Sequence, residues 1–105
     1  MGRFAWTWKV KPECLEKYLA MHREPWPEIL RAHSEAGISH YSIFQNGHQF
    51  FYVYDCEDPA KANRLLAENV DCQRWNAMTS QMIEGGFDLG QDEPIAYLGE
   101  IFYLK

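Results

Sequence analysis

Residues 39–54 read SHYSIFQNGHQFFYVY, and this stretch decides the fold. Ser39–Gln45 and Phe50–Tyr54 are rich in β-branched and aromatic residues, the types that suit a pleated, half-buried surface. Between them, Asn46-Gly47 supplies the positive φ angles that a tight turn requires, the strongest short-range signal for a β-hairpin. An antiparallel pair is therefore expected in the middle of the chain, and the flanking segments must arrange themselves around it.

Upstream, Phe4, Trp6, Trp8 and Val10 alternate with Arg3, Ala5, Thr7 and Lys9, a period-two strand with one heavily apolar face. Pro12 opens a helical stretch in its first turn, where the missing N–H costs little. Leu15, Tyr18, Leu19 and His22 follow at helical spacing. Pro25 and Pro27 each remove a backbone donor and should interrupt or restart this helix. The second portion, with Ile29, Leu30 and His33, runs to Ala36 and stops at Gly37 as a C-terminal cap. Downstream, Asp58-Pro59 reads as a cap followed by a first helical residue, and a short helix reaches about Ala67. A further helix starts near Asp71, carries Trp75, Met78 and Met82 on one face, and ends at Gly85-Gly86. Ile95–Leu104 is predicted as the last strand.

The order β-α-β-β-α-β, with the second helical region in two pieces, predicts an α+β fold: a ferredoxin-like sandwich with helices on one face of an antiparallel sheet. Trp6, Trp8, Phe102 and the aromatics of Phe50–Tyr54 offer more apolar strand surface than the helices require. Two such sheets packed face to face would cover it, so a homodimer of the dimeric α/β barrel type is expected.

A chain of 105 residues, 47% hydrophobic, is expected to be one domain over residues 1–105 with its own core. The formal charge of −5 and the lack of a basic run argue against nucleic acid as a partner. No run approaches the roughly 18 apolar residues of a membrane span, and Met1–Val10, with Arg3 and Lys9, does not read as a signal peptide. Cys14, Cys56 and Cys72 have no metal-like spacing and suit a reducing cytoplasm. His22, His33, His40 and His48 fall on different elements without ligand spacing, and no Gly-rich phosphate loop is present. Neither a metal nor a cofactor is expected.

Tyr18, His22 and Trp26 recur every four residues, which on a helix places a phenol, an imidazole and an indole along one face. Histidine is readily poised to exchange a proton near neutral pH, and flat aromatic neighbours suit a small ring such as a sugar; three large residues at this spacing also suit a core. Tyr41, on the hairpin strand that follows, either supplies a hydroxyl or fills space. Trp75, beside Arg74 at a helix start, suits sugar stacking or core filling. Glu100 interrupts an apolar strand, either inward, sharing protons with His22, or outward at a sheet edge.

Tyr18-x-x-x-His22, Trp26-Pro27-Glu28, Tyr41, Cys72-Gln73-Arg74-Trp75 and Glu100-Ile101-Phe102-Tyr103-Leu104 together resemble the L-rhamnose mutarotase family over nearly the whole chain, in its order and close to its spacing. The resemblance implies a dimeric ferredoxin-like protein that interconverts the α and β anomers of a 6-deoxy-L-sugar without a cofactor. It implies that His22 is the proton donor and that Tyr18 and Tyr41 bind the sugar. Two departures bear on the sugar. The family usually carries two adjacent Trp residues where this chain has Trp75 alone, flanked by Arg74 and Asn76; one alignment makes Arg74, the other Asn76, the replacement. The family's Asn-Pro-Asp-Asn loop is Glu84-Gly85-Gly86-Phe87-Asp88 here. The first alignment is preferred, so Arg74 joins Tyr18, Tyr41 and Trp75 as an expected sugar contact. L-fucose is the alternative sugar, and a non-catalytic ligand-binding dimer of the same fold is the alternative class.

Overall fold

In the computed structural model, which describes residues 2–105, β2 (Ser39–Asn46) and β3 (Gln49–Cys56) form the expected hairpin, with Gly47 at φ +64° in the turn. β1 (Gly2–Lys9) pairs with the other side of β3, giving an antiparallel sheet in the order β1-β3-β2. A 3₁₀ turn at Pro12–Cys14 leads into α1 (Leu15–Arg23), followed by α2 (Pro27–Glu35). After the hairpin come α3 (Pro59–Glu68) and α4 (Val70–Met82). None of the described helices is long and apolar enough to cross a membrane.

Strand parity decides what the sheet buries. Trp6 lies opposite Tyr52, Trp8 opposite Phe50 and Phe4 opposite Tyr54. Because side chains alternate with period two, these six rings share one face, and that face carries the helices. Trp6 and Tyr52 stack with ring centroids 5.0 Å apart, a contact type that adds about 0.5–1.5 kcal/mol beyond area burial. The strand aromatics expected to need a second sheet are thus largely covered by the chain's own helices. The opposite face carries smaller and more polar groups, with Phe51 and Phe44 (62% exposed) as its large apolar side chains.

The break at Pro25 and Pro27 falls where expected: α1 ends at Arg23, and Pro27 occupies the first turn of α2. Asn69 ends α3 and caps α4, its side-chain oxygen accepting from the Cys72 amide at 3.0 Å. The far end of α4 is tied to β1 by the Lys11 N–H to Met82 carbonyl bond (2.8 Å) and the Glu84 N–H to Lys9 carbonyl bond (2.9 Å).

One element differs from expectation. Ile95–Leu104 forms no strand, so the observed order is three strands and four helices rather than β-α-β-β-α-β. The Leu98 N–H donates to the Ala5 carbonyl at 2.7 Å, at the free edge of β1. Beyond it Ile101 is 99% exposed, while the Glu100 and Tyr103 side chains stay beside Arg3 of β1. The segment has the composition of a strand, but a strand requires a continuous backbone partner, and within this chain Leu98 meets one at a single point.

Asn69→Ala removes the oxygen that holds the first turn of α4. It should lower unfolding free energy by about 1 kcal/mol, read as a lower urea midpoint at unchanged slope.

Candidate active site

Two adjoining cavities lie between the inner sheet face and the helices, an outer cleft of about 640 Å³ and an inner cavity of about 70 Å³. His22, His33, Tyr41 and Trp75 line both and so form the boundary between them. The four come from α1, α2, β2 and α4, and each reaches this point for a local reason.

On α1, Tyr18 is buried and its hydroxyl meets that of Tyr52 at 2.6 Å, with either oxygen able to donate. Burial pushes the Tyr18 phenol up to about 12, the bond to Tyr52 opposing. One turn later, the His22 Nδ1 lies 2.7 Å from the Tyr18 carbonyl oxygen. A carbonyl only accepts, so Nδ1 carries a proton, and the neutral ring keeps a lone pair at Nε2. The His22 ring sits 4.3 Å from the Tyr18 ring and 5.5 Å from Trp75. Burial lowers its pKa below the ordinary 6.5, the carbonyl bond partly offsetting this.

Tyr41 owes its position to a bulge. Ser39 lies opposite Asp55 and Ser42 opposite Val53, so His40 and Tyr41 together oppose the single Tyr54. His40 takes up the extra residue at φ +50°, an unusual conformation for a non-glycine, and its Nδ1 meets Asp55 at 2.9 Å. Such bulges re-aim side chains beside functional sites. Tyr41 as a whole is 37% exposed. Its phenol is nonetheless desolvated, and burial first, then the Tyr18 and Tyr97 phenols, raise its pKa.

Trp75 is buried on α4, and Trp26 packs edge-on behind it at 5.0 Å. Trp26 itself lines neither cavity. The expected face of three residues thus holds for Tyr18 and His22, whereas Trp26 lies past the helix break as the N-cap of α2 and supports Trp75. The structure does not bring Arg74 to the site. Its guanidinium pairs with Asp71 at 3.4 Å and sits 5.4 Å over the Trp26 ring, on the outer side of α4. Asn76, the residue of the other alignment, lines the inner cavity. Glu100 lies near Arg3 at 3.9 Å and lines neither cavity, so it does not share a proton with His22.

Sequence reasoning missed the interior depth of Tyr52 and Tyr54. Both line the inner cavity, and Tyr54 bonds the Tyr97 hydroxyl at 2.7 Å. Their signal was parity: once Trp6 is opposite Tyr52, both tyrosines share the helix side with it.

The sequence profile described as L-rhamnose mutarotase matches residues 3–104. L-rhamnose mutarotase of Bacillus subtilis (strain 168) is 34% identical over 108 residues, covering 99% of each chain. That of Klebsiella pneumoniae (strain 342) is 30% identical, again covering 99% of each. The crystal structure of an L-rhamnose mutarotase from Formosa agariphila superposes with a TM-score of 0.77 over the whole of both chains at 22% identity, a likeness of fold. On the full-length match of sequence, the chain belongs to the L-rhamnose mutarotase family, whose members interconvert sugar anomers.

Proposed function

We propose that the cleft binds an L-rhamnose-like 6-deoxy sugar and catalyses its mutarotation, with His22 exchanging the proton at the ring oxygen. The observation that carries this reading is the convergence of His22, Tyr41 and Trp75 at the junction of the two cavities, with Tyr18 just inside. Mutarotation breaks the C1–O5 bond, lets C1 turn, and closes the ring on the other carbonyl face. The imidazolium of His22 protonates O5 during opening and recovers that proton during closure. A lowered pKa makes the imidazolium the stronger acid. Trp75 stacks on the apolar sugar face, and Tyr18 and Tyr41 bind hydroxyls as neutral phenols, which their raised pKa values favour.

The 105 residues act as one domain, in the cytoplasm, as a homodimer. Ile101, Phe102, Tyr103 and Leu104 are all exposed, as is Phe44 on the outer sheet face, and a second copy would cover them. Backbone pairing with that copy would also supply the partner that Ile95–Leu104 lacks here, completing a ferredoxin-like sheet and the dimeric α/β barrel. Ile101→Asp combined with Phe102→Asp should convert the dimer to a monomer in light scattering at micromolar concentration; a monomeric wild-type protein would refute the assembly.

Saturation-transfer NMR between anomers of L-rhamnose and of L-fucose tests the activity. Acceleration is expected, faster for L-rhamnose, and His22→Ala should lower kcat by about 10²–10⁴-fold with little change in KM. An equal rate in the variant would remove His22 from the reaction.

Both His22 and His33 have pKa values lowered by burial, so the unfolded chain binds their protons more readily than the folded one. Unfolding free energy should therefore fall as pH drops below the unfolded value of 6.5 and through the lower folded values. Thermal melts between about pH 7.5 and about pH 5 should show this decline, and a smaller one in His22→Gln.

A further inference from the structure

His33 is unassigned in the reaction above, yet it stands in the same relation to the site as His22. It occupies the last turn of α2, and its Nδ1 lies 2.8 Å from the Ile29 carbonyl oxygen, one turn back. His22 makes the same bond to Tyr18 at 2.7 Å on α1. In both rings Nδ1 is committed as a donor to the helix backbone, which fixes the tautomer and turns the Nε2 edge away from the helix. Both rings line the outer cleft and the inner cavity. Two imidazoles with matching anchors, on separate helices, thus face one space.

The rest of the lining leaves few groups able to take a proton. Among the described residues no carboxylate lines either cavity. The phenols of Tyr18, Tyr41, Tyr52 and Tyr54 have raised pKa values and stay protonated, so they donate but do not serve as bases near neutral pH. Of the other charged or titratable groups, Arg23 of α1 and His40 of β2 reach the outer cleft alone, and His40 Nδ1 is held by Asp55. α3 and α4 contribute uncharged side chains only.

We propose that His33 is the second proton carrier of the site, taking the O1 proton of the sugar while His22 serves the ring oxygen. The assignment rests on the mutarotase reading of the cleft. In ring opening, His33 Nε2 removes the proton from O1, the O1 electrons form the C1 carbonyl, the C1–O5 bond breaks, and His22 delivers its proton to O5. After C1 turns, O5 returns its proton to His22 and attacks C1, while the His33 imidazolium protonates O1. Each turnover restores the starting state, with no co-reactant consumed. The productive enzyme carries one proton between the two rings, so the wild-type pH profile of kcat is bell-shaped: His33 protonation sets the acidic limb and His22 deprotonation the alkaline limb.

The test compares wild type, His22→Ala, His33→Gln and His33→Asn by anomer-exchange NMR across pH. In His33→Asn the short side-chain amide can still donate to the Ile29 carbonyl but offers no group at the Nε2 position, so this variant separates a lost anchor from a lost proton carrier. Both His33 variants should lose about 10²-fold or more in kcat with KM nearly unchanged, and should lose the acidic limb. Retained kcat, or an acidic limb that survives in either variant, overturns the proposal, as does a wild-type profile with a single limb. If His22→Ala is fully active, the reading of the cleft fails and this inference with it. If His22→Ala is inactive while the His33 variants are active, only the role of His33 falls.

Discussion

A buried phenol must find a partner for its hydroxyl, and this constraint organises the space between sheet and helices. Tyr52 on the central strand satisfies it with Tyr18 of α1, at 2.6 Å. Tyr54, two residues on, satisfies it with Tyr97, whose oxygen also accepts from the Asn63 side-chain amide at 3.1 Å. The first pair fixes the depth of α1 over the sheet, and hence the height at which His22 meets the cleft. The second holds the chain after α4 against both β3 and α3. Removing Tyr18 or Tyr52 would strand the other's hydroxyl, and removing Tyr97 would strand that of Tyr54, which costs more than the hydrogen bond itself is worth. Tyr97 without Tyr54 would keep its bond from Asn63.

The site is built from rigid elements rather than loops. His22 and His33 are each tied to their own helix, Trp75 is braced by Trp26, and Tyr41 is aimed by a bulge in a paired strand. That arrangement suits a reaction whose catalyst needs little beyond correctly placed acid, base and hydroxyl donors. The inner cavity, at about 70 Å³, is small beside the cleft of about 640 Å³, and Tyr18, Tyr52 and Tyr54 line the inner one.

What the sequence disclosed follows the range of the interactions involved. The Asn46-Gly47 turn, the alternation of Phe4, Trp6 and Trp8, and the break at Pro25 and Pro27 depend on neighbours in the chain, and all appear as read. Ile95–Leu104 failed as a strand because pairing depends on a distant partner, which composition does not encode. Tyr18 and His22 could be placed together because four residues make about one helical turn. Arg74 and Asn76 lie about 100° to either side of Trp75 on the helix. The structure turns the Asn76 side toward the inner cavity and the Arg74 side out to Asp71; periodicity alone does not say which neighbour turns in. The approach of His33 depends on the angle that Pro25-Trp26-Pro27 imposes between two helices, and no periodicity reveals it.

The contact between His22 and Trp75, edge to face at 5.5 Å, has an optical consequence. A protonated imidazole accepts an electron from an excited indole and quenches its emission, whereas the neutral ring does so poorly. Trp6 and Trp8 lie together on β1 and supply a background from outside this edge-to-face pair. Intrinsic fluorescence therefore carries a built-in readout of the charge on the histidine, without a label and without turnover. Filling of the cleft registers through the same indole.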